Sequence, residues 1–182
     1  MLGSELTEFE GSQKLELEAE KAQATMVSTW NHGLIANKVG FEALAKGGSA
    51  LDMIEAAARI VEKDAEGLSV GLGGLPDRDG IVTLDACCMD HLGRAGSVAA
   101  LQDIMYPLSV ARKVMEETPH VMLVGEGAKM FALEQGFESV NLLTEKAHEA
   151  LGPHSRCPLG QTCQWSPSSL ACPRRTRGSR KA

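Results

Sequence analysis

The sequence contains no apolar run approaching the ~18 residues a membrane span needs, so no transmembrane helix is expected. It also lacks the basic start and apolar centre of a secretory signal. Residues 1–24 instead carry Glu5, Glu8, Glu10, Glu16, Glu18 and Glu20, which makes the cytoplasm the expected address. No internal repeat and no heptad pattern occurs, which argues against a solenoid or a coiled coil. Cysteine is scarce and odd in number, five in all, which does not argue for a disulfide framework. Acid is missing altogether from residues 151–182.

That last absence divides the chain. The formal net charge is -6, yet all 24 acidic residues precede position 151. The final stretch carries Arg156, Arg174, Arg175, Arg177, Arg180 and Lys181, together with Pro153, Pro158, Pro167 and Pro173. Hydrophobic residues make up 43 % of the whole and charged residues 23 %, ordinary values for a globular protein. Three regions are therefore predicted: an acidic polar extension over 1–24, a folded domain over 25–150, and a basic Pro/Cys/Arg-rich tail over 151–182. Both flanking regions are expected to be disordered. The tail reads as foreign to the fold, as translation of a shifted frame or a retained intron would.

Within the domain, Met26–Trp30 reads as a short buried strand, and apolar spacing from Ile35 to Lys46 predicts a helix that Gly47-Gly48 ends. Ser49 and Asp52 have the spacing of a capping box for a second helix. Its apolar face is Leu51, Ile54, Ala57, Ala58 and Val61, with Glu55, Arg59, Glu62 and Lys63 opposite. The texture then turns to β. Leu68–Gly74, Ile81–Asp90 and Ala95–Ala100, separated by turns at 76–80 and 91–94, predict a meander of three antiparallel strands. A helix over Pro107–Thr118, a buried strand over His120–Gly125 and a helix over Glu126–Gln135 follow. The fold class is thus α/β, in the broad α+β sense.

Several residue groups suggest chemistry that their context does not support. Gly71, Gly73 and Gly74 lead to a turn and a strand, whereas a phosphate loop leads into a helix N-terminus. Gly125-Glu126-Gly127 lacks a third glycine and sets an acid where a phosphate would go. Asp77, Asp79, Asp85 and Asp90 fit no Ca²⁺ loop. His154, Cys157, Cys163 and Cys172 lack the tight paired spacing of zinc ligands, so no metal is assigned. Cys87 and Cys88 alternate across one strand and cannot both face a core. The basic tail has Trp165 as its single aromatic residue and no folded platform, so nucleic acid is not expected as a partner.

A series of blocks in continuous order carries more information. These are Ser-Thr-Trp-Asn at 28–31, Gly-Gly-Ser-Ala-Leu-Asp at 47–52, Ser-Val-Gly-Leu-Gly-Gly at 69–74 and Pro-Asp-Arg-Asp-Gly at 76–80. Val-Thr-Leu-Asp-Ala at 82–86, Ser-Val-Ala-Arg at 109–112 and Thr-Pro-His-Val-Met-Leu-Val-Gly at 118–125 complete the set. From about Met26 to about His148 the chain resembles the α-subunit of the glycosylasparaginases, within the asparaginase type 2 family of N-terminal-nucleophile hydrolases. The Thr-Trp-Asn start is similar to the glycosylasparaginase branch, where the plant-type asparaginases and isoaspartyl peptidases typically begin His-Gly-Gly.

The resemblance implies a four-layer αββα sandwich, of which this chain would supply part. It implies a precursor that cleaves itself before a threonine to give α and β chains. The freed α-amino group then serves as base for the threonine hydroxyl, which attacks the side-chain amide of (glycosyl-)asparagine and releases aspartate. No cofactor is implied. The family's threonine lies in an Asp-Thr-Ile-Gly context, and no such segment occurs in these 182 residues. No catalytic residue is therefore assigned, and the chain alone is predicted to be inactive. Trp30 is the substrate-binding candidate, placed by the family at the mouth of the asparagine pocket; a core tryptophan at a strand end is the plainer reading. Asn31 is a candidate for orienting the following turn. Ser69 is a candidate support for the nucleophile's surroundings, or a hydroxyl that satisfies backbone in a bend. His32 stands where relatives often carry an aromatic residue. Expected partners are an asparagine-derived substrate, a β-subunit of the same precursor and a homo- or heterodimer. The alternative is a non-catalytic α-chain that binds a separately supplied β chain or a full-length relative. An unrelated site with Ser69 or a cysteine as nucleophile lacks a histidine at a recommending spacing.

Overall fold

In the computed structural model, residues 24–77 and 79–151 are described, and they hold five helices and three strands. Residues 1–23 and 152–182 lie outside them. So do almost all of the predicted acidic extension, nearly the whole basic tail and the His154, Cys157, Cys163, Cys172 set.

The chain enters α1 (Gly33–Ala45) and then α2 (Ala50–Glu62), which pack on each other. The predicted capping box is present: Asp52 N–H donates to Ser49 Oγ at 3.2 Å and Ser49 N–H to Asp52 Oδ2 at 2.7 Å. Two orphan amides at the start of α2 are satisfied in this way. β1 (Leu84–Met89) and β2 (Ala95–Leu101) form an antiparallel hairpin, with Cys87 opposite Ser97 and Met89 opposite Ala95. Asp90 closes its turn by accepting from Leu92 and Arg94 N–H at 3.0 and 2.9 Å. α3 (Pro107–Glu117) then crosses back and leads to β3 (Met122–Val124), which pairs parallel to β2. A parallel pair needs such a crossover, and α3 provides it. The sheet order is β1-β2-β3. α4 (Gly125–Glu134) and α5 (Glu145–Leu151) complete the described chain. None of the described helices is long and apolar enough to cross a membrane.

The main core lies between α3 and one face of the sheet. Val110, Ala111, Val114 and Met115 meet Cys88, Val98 and Leu101, with Ala128 and Ala132 of α4 joining them. Gly96 makes the close approach possible: a Cβ there would stand 2.1 Å from the Ala111 carbonyl oxygen. The opposite face of the sheet is open. Strand alternation and register place Cys87, Met89, Met122 and Val124 on it, all exposed, with half-buried Ala95 and Ala99 and the buried Ser97 between them.

Four expectations are corrected. Met26–Trp30 is not a buried strand. Residues 24–29 are irregular and Val27 is 89 % exposed, because no neighbouring strand among the described residues pairs with them. Leu68–Gly74 is a run of bends and turns, since Gly71 and Gly73 take positive φ and break the pleat, so the meander has two strands. β3 is three residues long and not buried, with Met122 and Val124 both facing out. Glu62, expected on the polar face of α2, is buried because α3 covers the C-terminal end of that helix. α5 had no counterpart in the sequence reading.

Candidate functional site

Trp30 sits at the apex of a tight turn leading into α1. Its backbone is left-handed, φ 66°, a conformation that costs a residue other than glycine roughly 1–2 kcal/mol. Its carbonyl accepts from Gly33 N–H at 3.2 Å, and the Asn31 carbonyl accepts from Leu34 N–H at 3.3 Å. The indole is 82 % exposed, so Trp30 is not a core residue. Asn31 turns its Oδ1 onto its own neighbour, accepting from His32 N–H at 3.0 Å. Around this turn, Val27, Leu34 and Ile35 are also exposed. An exposed strained tryptophan ringed by exposed apolar side chains is unusual for a surface that faces only water.

Ser69 lies on a different segment, exposed in the bend before the glycine run. That run is anchored at two points. Leu72 N–H donates to the Glu62 carbonyl at 2.8 Å, and Gly73 N–H to the Leu142 carbonyl at 2.8 Å. The structure brings Trp30 and Asn31 together on one turn and leaves Ser69 on this separately anchored one.

Glu62 is the buried acid beneath the run. Its Oε1 accepts Leu108 N–H at 3.2 Å, at the open start of α3, while Oε2 is buried without a hydrogen-bond partner. Burial pushes its carboxyl up to about 7. The Ser-Val-Ala-Arg block at 109–112 has a visible job as well. Arg112 donates to Asp52 and Glu55 at 2.7 Å each and to Glu116 at 2.8 Å. Ser109 donates to Glu55 and accepts from Arg59 at 3.0 Å, and the Arg59 guanidinium lies 3.7 Å above the Tyr106 ring. These contacts join α2 to α3. They went unread in the sequence because a polar position on a helix gives no sign of its partner on another.

A cavity of about 200 Å³ opens between Ile81, Val82, Gln102, Asp103, Asn141 and Leu142. None of the three candidate site residues lines it. Two of the aspartates without a Ca²⁺-loop spacing, Asp77 and Asp85, hold backbone amides. Asp77 accepts from Asp79 and Ile81 N–H at 2.9 Å, and Asp85 from Ala100 N–H at 2.7 Å. Among the described residues no group of three His, Cys, Asp or Glu side chains is placed to hold a metal.

The family model described as asparaginase matches residues 11–170. The chain belongs to the asparaginase family. It is 57 % identical over 124 residues to the N(4)-(β-N-acetylglucosaminyl)-L-asparaginase of Elizabethkingia miricola, covering 68 % of this chain and 36 % of that protein. It is 42 % identical over 120 residues to the rat enzyme of the same name, covering 65 % and 34 %. It is 38 % identical over 137 residues to an isoaspartyl peptidase of Salmonella typhimurium, covering 68 % and 44 %. The glycosylasparaginase resemblance thus holds, within an asparaginase-type hydrolase family. The chain spans about a third of the length of these two glycosylasparaginases.

Proposed function

We propose that this chain is the α portion of an amidohydrolase that cleaves the side-chain amide of (glycosyl-)asparagine to release aspartate. The observation that carries the reading is the open sheet face. Cys87, Met89, Met122 and Val124 form an exposed apolar surface on the side of the sheet away from α3. A second sheet supplied by the β portion would cover that face and complete the four-layer αββα sandwich. Trp30 would then border the asparagine pocket, packing its indole on the apolar atoms of the substrate, with Asn31 holding the turn and Ser69 near the nucleophile. The attacking hydroxyl and its amine base come from a threonine that lies outside these 182 residues, so the chain alone is inactive.

The test is to assay aspartate release from N4-(β-N-acetylglucosaminyl)-L-asparagine by the purified chain, alone and co-expressed with the remaining part of the Elizabethkingia relative. The expected result is no release alone and measurable release from the complex, with W30A lowering kcat/KM about tenfold or more through lost transition-state contacts. Release by the chain alone overturns the proposal. A complex that forms but stays silent would favour the second reading, a non-catalytic partner that uses the same open face.

A further inference from the structure

Trp30 keeps its left-handed backbone without glycine's freedom and without a packed indole. Something local must hold it. The turn's own hydrogen bond, Gly33 N–H to the Trp30 carbonyl, fixes one side at 3.2 Å. On the other side Ser28, two residues before the tryptophan, donates through its hydroxyl to Asn37 Oδ1 on α1. Ser28 and Gly33 also meet, since a Cβ added to Gly33 would lie 2.7 Å from Ser28 Cβ. Both ends of segment 28–33 are thereby tied to one rigid helix, with Trp30 at the apex between them. His32, the residue that caps α1, makes no side-chain cap bond that could do this work instead.

We infer that Asn37 is a positioning residue for Trp30: by holding Ser28 against α1 it fixes the turn that presents the indole. The functional meaning of this latch rests on the reading of Trp30 as a pocket residue, whereas its existence does not. Asn37 need not touch a substrate. It acts through Ser28, and the carboxylate of an aspartate at the same position accepts the same hydroxyl proton.

The full chain is tested without substrate, in a W165F background that leaves Trp30 as the one tryptophan. Amide hydrogen exchange at Gly33 and the position of the Trp30 indole N–H resonance are read by NMR, with the Ala57 amide of α2 as the control for folding. N37L is expected to speed Gly33 exchange about fivefold, the loss of one ordinary hydrogen bond, and to move the indole resonance. N37D is expected to keep both at wild-type values. S28A, a change at an exposed position, is expected to match N37L, and the two together to add nothing further. The inference is overturned if N37L leaves Gly33 exchange unchanged, if N37D does the same damage as N37L, or if the S28A and N37L effects add. Failure of the pocket reading would show elsewhere, as a W30A complex with unchanged kcat/KM.

Discussion

Glu62 and Asp52 sit on the same helix and titrate in opposite directions for reasons visible around each. Glu62 is buried with one oxygen unpartnered, and that burial raises its carboxyl from the ordinary 4.5 to about 7. A raised folded-state value means that stability is full below pH 4.5 and is lost as pH climbs through 7. The penalty at high pH is on the order of 3 kcal/mol. E62Q keeps an oxygen for Leu108 N–H and carries no charge, so its urea midpoint is expected to exceed wild type at pH 8 and to be nearly flat between pH 5 and 8. Asp52 is held down to about 2 from 3.8, first by the Ser49 amide, then by the Ser49 hydroxyl and Arg112. Its contribution is present above pH 3.8 and is lost as pH falls through 2. S49A removes the cap and is expected to cost about 1 kcal/mol in the same urea titration at neutral pH.

At the scale of elements, two contacts decide how the helices stack. Gly96 lets α3 lie directly on β2, and the Arg112 fork ties α3 back to α2. Arg112 is flanked by three carboxylates, those of Asp52, Glu55 and Glu116. Removing the guanidinium leaves them repelling one another at a partly buried junction. R112L is therefore expected to lower unfolding free energy by about 2–3 kcal/mol. R112K keeps the charge but not the planar fork and is expected to lose about half as much. Equal losses in the two variants, measured by denaturant titration, would show that the geometry of the fork rather than its charge matters here.

For the whole molecule, what matters is the uncovered sheet face. A sheet that exposes Met89 at 63 %, Met122 at 54 % and Val124 at 55 % has room for a second layer. Lysine at these positions costs the isolated chain little, since the side chains already meet water, but it buries charge in any sandwich. M89K/M122K is expected to keep the wild-type circular dichroism of the chain and to abolish co-purification with the proposed β portion. Undiminished co-purification would place the partner surface elsewhere.

The residues themselves announced whatever depends on near neighbours. The Ser49–Asp52 box, the glycine ends of the helices, Pro107 at the first turn of α3 and the Asp90 turn are local hydrogen-bond and torsion patterns, legible at a spacing of a few positions. So was the family, since its blocks occur in order along the chain. Tertiary structure decided what depends on distant partners. Met26–Trp30 has strand composition but finds no strand to pair with among the described residues, and β3 became parallel because α3 carries the chain across the sheet before it pairs. Glu62 reads as a solvent-facing acid until α3 is laid over it, and Ser28 shows no link to Asn37 until α1 turns the helix face toward it. Side-chain periodicity reports which face of an element is apolar, while burial and pairing are properties of what that face meets.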